Sequence, residues 1–373
     1  MKLKTILPAL LCIAALTACT SASGTKAINE NTNDSPLRVG VAGVTHGHLG
    51  EVRRRIGRGD FEVVGVSEEI DEYRLDNDLT GLVPEDLFFK SLGDMLDRTK
   101  PEVVVAYGSA HDHLAVVREC APRHIDVMVE KPLCTSVKEA EEIEKLARKY
   151  GIRVLVNYET TWYASNEYVK KSVDGGMLGK VFKIEVYDGH SGPFEIGCAK
   201  RFTDWLTDPE LNGAGALFDF GCYGADLATW LFGGKEPRSV SCVLKNNKPE
   251  VYTRVDDDAT ILVEYDDAVV EINASWCWPF NRKDMRVYGL DGSIYQKDPD
   301  MVMLQDNNGS SEFKAPALES PYNDSFLWLK ALERGEIELE TADRQGLENN
   351  ITVVKILDAA RKSARTGKPV RIR

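Results

Sequence analysis

The chain is short of positive charge: 46 Lys and Arg stand against 59 Asp and Glu, a formal net charge of −13. A surface of that sign repels nucleic acid and anionic lipid, so neither is expected as a partner. After Cys19 no run is apolar enough to span a bilayer. Cysteine is sparse as well, with eight in 373 residues. None of the six from Cys120 to Cys277 forms a CxxC pair, which removes zinc knuckles and thioredoxin-type sites. Their spacing does not say which of them could pair in an oxidising compartment.

What is present begins with a leader. Lys2 and Lys4 precede an apolar run from Ile6 to Leu16, followed by Leu16-Thr17-Ala18-Cys19. This is the pattern of a secretory signal over residues 1–19, and its end resembles the lipobox of a bacterial lipoprotein. The expectation is cleavage before Cys19, a lipid on its sulfur and a place in the bacterial cell envelope, on the periplasmic side. The only membrane contact would be that anchor. Residues 20–36, rich in Ser, Thr, Asn and Gly, read as a flexible tether.

Residues 37–157 read as a dinucleotide-binding α/β unit. Leu37–Val44 is a short apolar run ending in glycines, His48–Gly57 has helical spacing, and Phe61–Val66 is a second strand closed by Glu68. In that order the pyrophosphate sits on a helix N-terminus and the acid bonds a ribose hydroxyl. A carboxylate at Glu68 would repel a ribose phosphate, which favours NAD over NADP. The fingerprint departs from the usual glycines, with Thr45 and His48 in the second and third positions and Gly47 one place early. Further strands at Val103–Ala106, Ile125–Val129 and Val154–Val156 alternate with helices, the pattern of a doubly wound parallel sheet.

Glu130-Lys131-Pro132 ends one of those strands, where ligands of such sheets bind, and Ser136 with Glu139 forms a capping box just beyond. A lysine held there beside a carboxylate is a candidate proton donor. Two His-x-His pairs, His46/His48 and His111/His113, each follow a strand and are expected to face one crevice. No carboxylate or cysteine stands at ligand spacing beside them in the sequence, so they read as capping and nucleotide-contacting residues and not as a metal site.

From Gly179 the pattern changes to alternating strands, at Lys180–Tyr187, Ser239–Lys245, Ala259–Tyr265, Ala268–Ser275 and Met285–Tyr288. A single helix is expected from Gly213 to Leu231, with Asp219 and Tyr223 on one face. Its glycines suggest a close approach to the backbone, for example by a cofactor ring.

These pieces resemble the Gfo/Idh/MocA oxidoreductases over nearly the whole chain after residue 37. The resemblance rests on the glycine turn at 40–47, Glu130-Lys131-Pro132, Asp219-x-Gly221-x-Tyr223, Trp205 with Asp208-Pro209, Tyr288–Ser293 and Ser363–Val370. It implies a Rossmann domain (37–157) and an α+β domain (158–373) with an open-faced, mainly antiparallel sheet. The C-terminal helix, about 343–366, would pack back on the first domain. It further implies self-association through the open sheet face. Lys131 would contact the reacting hydroxyl and the nicotinamide ribose, Asp219 would orient substrate or relay a proton, and Tyr223 would stand at the general-base position. A nearby ammonium would lower the pKa of that tyrosine. Expected cofactor contacts are Gly43, Thr45, His46, Gly47, His48, Glu68, Ser109, His113, Glu130 and Lys131; expected substrate contacts are Tyr158, Trp162, Trp205, Asp219 and Tyr223. Trp276 and Trp278 are further aromatic faces for a sugar.

Thr161 and Leu206 stand where the family often has arginine, which takes cations from the cleft and leaves neutral, hydroxyl-rich substrates. The expected activity is NAD-dependent oxidation of a sugar, polyol or glycoside, with the nucleotide tightly held because the protein is exported. One alternative, a redox-neutral, NAD-dependent glycosidase, would use the same residues. Another, an inactive sugar-binding lipoprotein, rests on the altered phosphate loop, and the retention of Lys131, Asp219 and Tyr223 speaks against it.

Overall fold

The computed structural model describes residues 35–340 and 342–372. The leader, most of the tether and Cys19 lie outside the described residues. Six parallel strands form the first sheet: β1 Leu37–Ala42, β2 Phe61–Ser67, β3 Phe88–Phe89, β4 Val103–Ala106, β5 Asp126–Glu130 and β6 Val154–Asn157. Their order is β3-β2-β1-β4-β5-β6. β4, β5 and β6 are buried at every residue, which explains their nearly unbroken apolar sequence. The order reverses beside β1, between it and β4, and the crevice for a ligand opens there.

The second sheet has nine strands: β7 Val181–Gly189, β8 Ser239–Lys245, β9 Asp258–Glu264, β10 Val269–Ser275, β11 Arg282–Gly289, β12 Gly292–Gln296, β13 Met301–Asp306, β14 Gly309–Lys314 and β15 Val370–Arg371. All its pairings are antiparallel except β7 with β10. One face packs on the helices Gly221–Leu231 and Leu347–Thr366, and the latter also packs on the helix Val137–Tyr150 of the first sheet's layer. β12 to β14 and β15 escape the sequence reading, because short polar strands such as Gly309–Lys314 lack apolar alternation.

Three expectations need correction. The helix expected over 213–231 is two helices, Ala216–Asp219 and Gly221–Leu231, broken at Phe220 between Asp219 and Tyr223. Its glycines serve packing: a Cβ on Gly224 would lie 2.5 Å from Ile272 Cγ2, and one on Gly221 3.1 Å from Ile261 Cδ1. The close approach is therefore by the second sheet. The helix expected over 48–57 is a single tight turn, Gly47–Leu49, and a short helix, Gly50–Arg55.

The capping reading is met with a shift of one residue. Ser136 Oγ accepts from Glu139 N–H at 3.3 Å, while the Glu139 carboxylate accepts from Thr135 N–H at 3.0 Å. The six cysteines from Cys120 to Cys277 are free thiols. Among the described residues no helix is long and apolar enough to cross a membrane.

A buried ion pair ties the C-terminal segment behind the cleft. Arg344 donates to Asp226 Oδ2 through Nε at 2.9 Å and Nη2 at 2.8 Å, and to the Thr160 carbonyl at 2.8 Å. Asn349 satisfies the other oxygen of Asp226 at 2.8 Å. Removing one partner strands a buried charge. Arg344→Leu is expected to lower unfolding free energy by about 3–5 kcal/mol in urea titrations.

Candidate active site

The cofactor cleft lies over the C-terminal ends of β1, β2 and β4, with a volume of about 600 Å³. Gly43 turns the chain at φ +77°, and a Cβ there would stand 2.7 Å from Gly108 N. Only glycine fits that turn and that approach. Glu68 projects from the end of β2, its carboxylate accepting from Val44 N–H at 3.3 Å and Ile70 N–H at 3.0 Å. Burial raises its pKa despite those bonds.

The amides that usually cradle pyrophosphate are already engaged. Thr45 and His46 N–H both donate to the Tyr107 carbonyl, at 3.0 and 2.8 Å, and His48 N–H donates to His46 Nδ1 at 3.1 Å. Thr45 therefore offers its hydroxyl at this cleft in place of loop amides, while the Ser109 hydroxyl already donates to Asp112 Oδ2 at 2.7 Å. Other features fit a bound dinucleotide. The nitrogens His46 Nε2, His113 Nε2 and Trp205 Nε1 are buried without a partner, on rings that line this cleft or the adjoining cavity.

The adjoining cavity, about 810 Å³, lies between the end of the first sheet and the second sheet. On its floor Lys131 Nζ donates to Asp219 Oδ1 at 2.5 Å and to the Asp219 carbonyl at 3.0 Å. Trp276 Nε1 holds the second carboxylate oxygen at 2.8 Å. Burial works against both charges, but each stabilises the other: the Lys131 pKa ends above its usual value and that of Asp219 below. The pair stays ionised. Lys131 Nζ also stands 5.2 Å from the centre of the Tyr223 ring.

Tyr223 does not titrate as expected. Burial, reinforced by the negative charge of Glu159, pushes its hydroxyl well above the ordinary tyrosine range. It is a neutral hydrogen-bonding group, not a resting phenolate. The effect of the two nearby ammonium groups, Lys131 and Lys283, is outweighed.

The histidine pairs separate. His111 turns to the exposed surface against Glu139 Oε1 at 3.1 Å, so it does not face the crevice. His113 is buried and donates through Nδ1 to the Leu133 carbonyl at 3.1 Å. His46 packs against Trp205 at 5.7 Å and Phe202 at 5.1 Å. His48 Nδ1 meets Glu130 Oε2 at 2.9 Å. A carboxylate thus does stand beside this pair, brought from a neighbouring layer of sequence by the fold. His46, His48 and Glu130 are close enough to hold an ion, but their hydrogen bonds argue otherwise. His46 Nδ1 accepts the His48 amide, so neutral His46 carries its proton on Nε2 and presents no lone pair there.

Several expected substrate aromatics lie elsewhere. Tyr158 is fully buried, its hydroxyl on Asn350 Oδ1 at 3.0 Å. Trp162 donates to Asn157 Oδ1 at 3.2 Å and packs on Trp328. Trp205 lines the cofactor cleft. Trp276 anchors Asp219, and Trp278 donates to the Asp188 carbonyl.

Conversely, the cavity contains cations and acids that the sequence reading passed over: Glu159, His190, Arg282, Lys283 and Asp284. Asp188, buried behind them, is raised to about 8 by burial. The signal was the run Arg282-Lys283-Asp284, three charges opening a strand whose neighbours alternate. The cleft is therefore not short of cations, although Thr161 and Leu206 supply none. Lys283 pairs with Glu159, Arg282 with Asp284 at 2.8 Å and Lys297 with Glu312 at 2.8 Å.

Residues 37–158 match the profile of the oxidoreductase family with an NAD-binding Rossmann fold, and residues 166–295 match that of the GFO/IDH/MocA C-terminal domain. Together they cover more than half of the chain. The chain belongs to the Gfo/Idh/MocA family. Among its relatives is the trans-1,2-dihydrobenzene-1,2-diol dehydrogenase of Bos taurus, 26% identical over 238 residues, or 61% of this chain and 64% of that one. The rhizopine catabolism protein MocA of Rhizobium meliloti is 23% identical over 203 residues, 54% of this chain and 58% of that protein. The chain thus spans less than two thirds of either relative's length.

Two solved structures share the fold over nearly the whole chain. The aldose-aldose oxidoreductase of Caulobacter crescentus, complexed with glycerol, superposes at a TM-score of 0.75 with 20% identity, covering 90% of this chain and 99% of that one. The inositol dehydrogenase homolog of Azotobacter vinelandii, complexed with NAD+, gives 0.76 and 18%, covering 90% and 97%.

The Rossmann domain of this Gfo/Idh/MocA protein is of the NAD-binding type, and Glu68 stands just beyond β2 on the wall of the cleft, where a ribose ligand is expected. Glu68→Ser is expected to weaken NAD binding by about tenfold and to narrow the preference over NADP, in calorimetric titrations with each nucleotide.

Proposed function

We propose that the protein is an NAD-dependent oxidoreductase that oxidises a hydroxyl of a neutral sugar, polyol or glycoside. The observation that carries this reading is the buried Lys131–Asp219 pair on the floor of a cavity adjoining the cofactor cleft. NAD bound in that cleft supplies the hydride acceptor. Lys131, fixed by Asp219, presents its remaining N–H to a substrate oxygen, and Tyr223 offers a neutral hydroxyl beside it. Trp276 keeps the Asp219 carboxylate turned to the lysine. The cations of the cavity wall already pair with Glu159, Asp284 and Glu312, so none is spare for an anionic substrate. The substrate names of the relatives, a diol, an aldose and inositol, support the same class.

The proposal extends to the setting. The sequence around Cys19 supports export to the bacterial cell envelope as a lipoprotein. Exposed Val243, Leu262 and Val269 share one face of the second sheet and support self-association there.

The test incubates the protein with NAD and, in turn, D-glucose, myo-inositol and p-nitrophenyl glycosides. Formation of NADH with a ketone product is expected, and Lys131→Met should lower the rate by about 10²- to 10⁴-fold. Release of p-nitrophenol without net NADH would instead show the redox-neutral glycosidase. Neither product, with no nucleotide bound, would leave the sugar-binding reading.

A further inference from the structure

The oxidation proposed above needs a base, and the position at which one was expected holds Tyr223, whose burial keeps it neutral. Lys131 is held by Asp219 as an ammonium, which has no lone pair to take a proton. His190 accepts from Gly192 N–H through Nδ1 at 2.9 Å, so its Nε2 carries a hydrogen and offers no lone pair. One imidazole on the cavity wall is arranged differently.

His48 Nδ1 meets Glu130 Oε2 at 2.9 Å, and the other oxygen of Glu130 accepts from Asn157 Nδ2 at 2.9 Å. Asn157 is itself held by Trp162 Nε1 at 3.2 Å. The Glu130 side chain is 2% exposed, and with both oxygens engaged it can only accept. His48 must therefore donate from Nδ1, which places the lone pair of the neutral ring on Nε2. That ring is 30% exposed and lines the same cavity as Lys131, Asp219 and Tyr223.

We propose that His48, held in this tautomer by Glu130, is the base that takes the substrate hydroxyl proton, a role that rests on the dehydrogenase reading above. Lys131 and Tyr223 then hold the oxygen and do not remove its proton. In the step, the O–H bond breaks and its proton forms the Nε2–H bond of His48. The O–H electron pair becomes the second C–O bond, while the hydrogen on that carbon departs with its pair to the oxidised nicotinamide. The imidazolium loses its proton to water at the exposed ring edge. Asn157 and Glu130 are positioning residues. The arrangement also explains why Glu130 precedes the lysine: adjacent residues of one strand end serve the base and the oxygen-binding group.

The groups around His48 agree with this role. Burial and the positive charge of Lys131 favour the neutral ring. Glu130 and Glu51 favour the imidazolium and prevail, so His48 titrates above its usual value. Glu159 lies within electrostatic range as well. A base with a raised pKa is active above that pKa and loses activity as pH falls through it.

The test has two arms on the whole protein. With histidine labelled by ¹⁵N, His48 (assigned by loss of its signal in His48→Gln) should show the Nδ1–H tautomer and titrate above 6.5, and Glu130→Gln should lower that pKa. His48 lines the Lys131 cavity and not the cofactor cleft, so in turnover of NAD with the best substrate of the panel His48→Gln should lose about 100-fold or more in rate while calorimetry still finds NAD bound. The acid limb of kcat/KM should fall at the pKa read by NMR and move to lower pH in Glu130→Gln. An Nε2–H tautomer, a His48→Gln variant as active as the parent, or a limb unmoved by Glu130→Gln would each overturn the proposal while leaving the dehydrogenase reading intact. A parent protein that turns over no member of the panel would overturn that reading and this role with it.

Discussion

The site depends on one ion pair, Lys131 with Asp219, made between a strand end of the first sheet and the break between two helices that pack on the second. Both side chains are almost wholly buried, at 6% and 5% exposure, so neither charge could stay there alone. The pair therefore does two things. It fixes the lysine ammonium at the floor of the cavity, and it couples the site's geometry to the packing of the two layers. The break at Phe220 is part of this arrangement: it lets the Asp219 carbonyl, freed from regular helix, accept a second bond from Lys131 at 3.0 Å. Trp276, from just beyond β10, completes the cage.

Around that pair the cavity is polar yet balanced. Lys283, Arg282 and Lys297 each face a carboxylate, and His46 is kept neutral by burial. A pocket of this kind recognises hydroxyls by direction and not by charge. The cofactor side follows the same economy of amides: the β1 loop is closed on Tyr107 and His46, which leaves the Thr45 hydroxyl and Glu68 for the ligand.

Much of the fold was legible because periodicity reports burial. The continuous apolar runs of β4 to β6 could only be strands covered on both faces, and alternation in β9 and β10 marked a sheet covered on one. Lys131 was legible because a strand end, a capping serine and a proline bracket it. The break at Phe220 was not, because Gly221 beside it is one of several glycines in the segment and nothing local singles it out; these glycines pack on Ile272 and Ile261 of the second sheet. Nor was the contact of His48 with Glu130, which joins the turn after β1 to the end of β5. The aromatics Tyr158 and Trp162 looked like a sugar platform, but composition cannot tell a ring facing a cavity from one facing a core.

The central claim is that Lys131 and Asp219 act as one unit. A double-mutant cycle tests it most directly, with Lys131→Met, Asp219→Leu and the combination measured for unfolding free energy in urea. The account predicts that each single change is costly and that the double change costs much less than their sum, with a coupling above about 1.5 kcal/mol. Additivity within about 0.5 kcal/mol would contradict it and reduce the pair to two neighbouring residues.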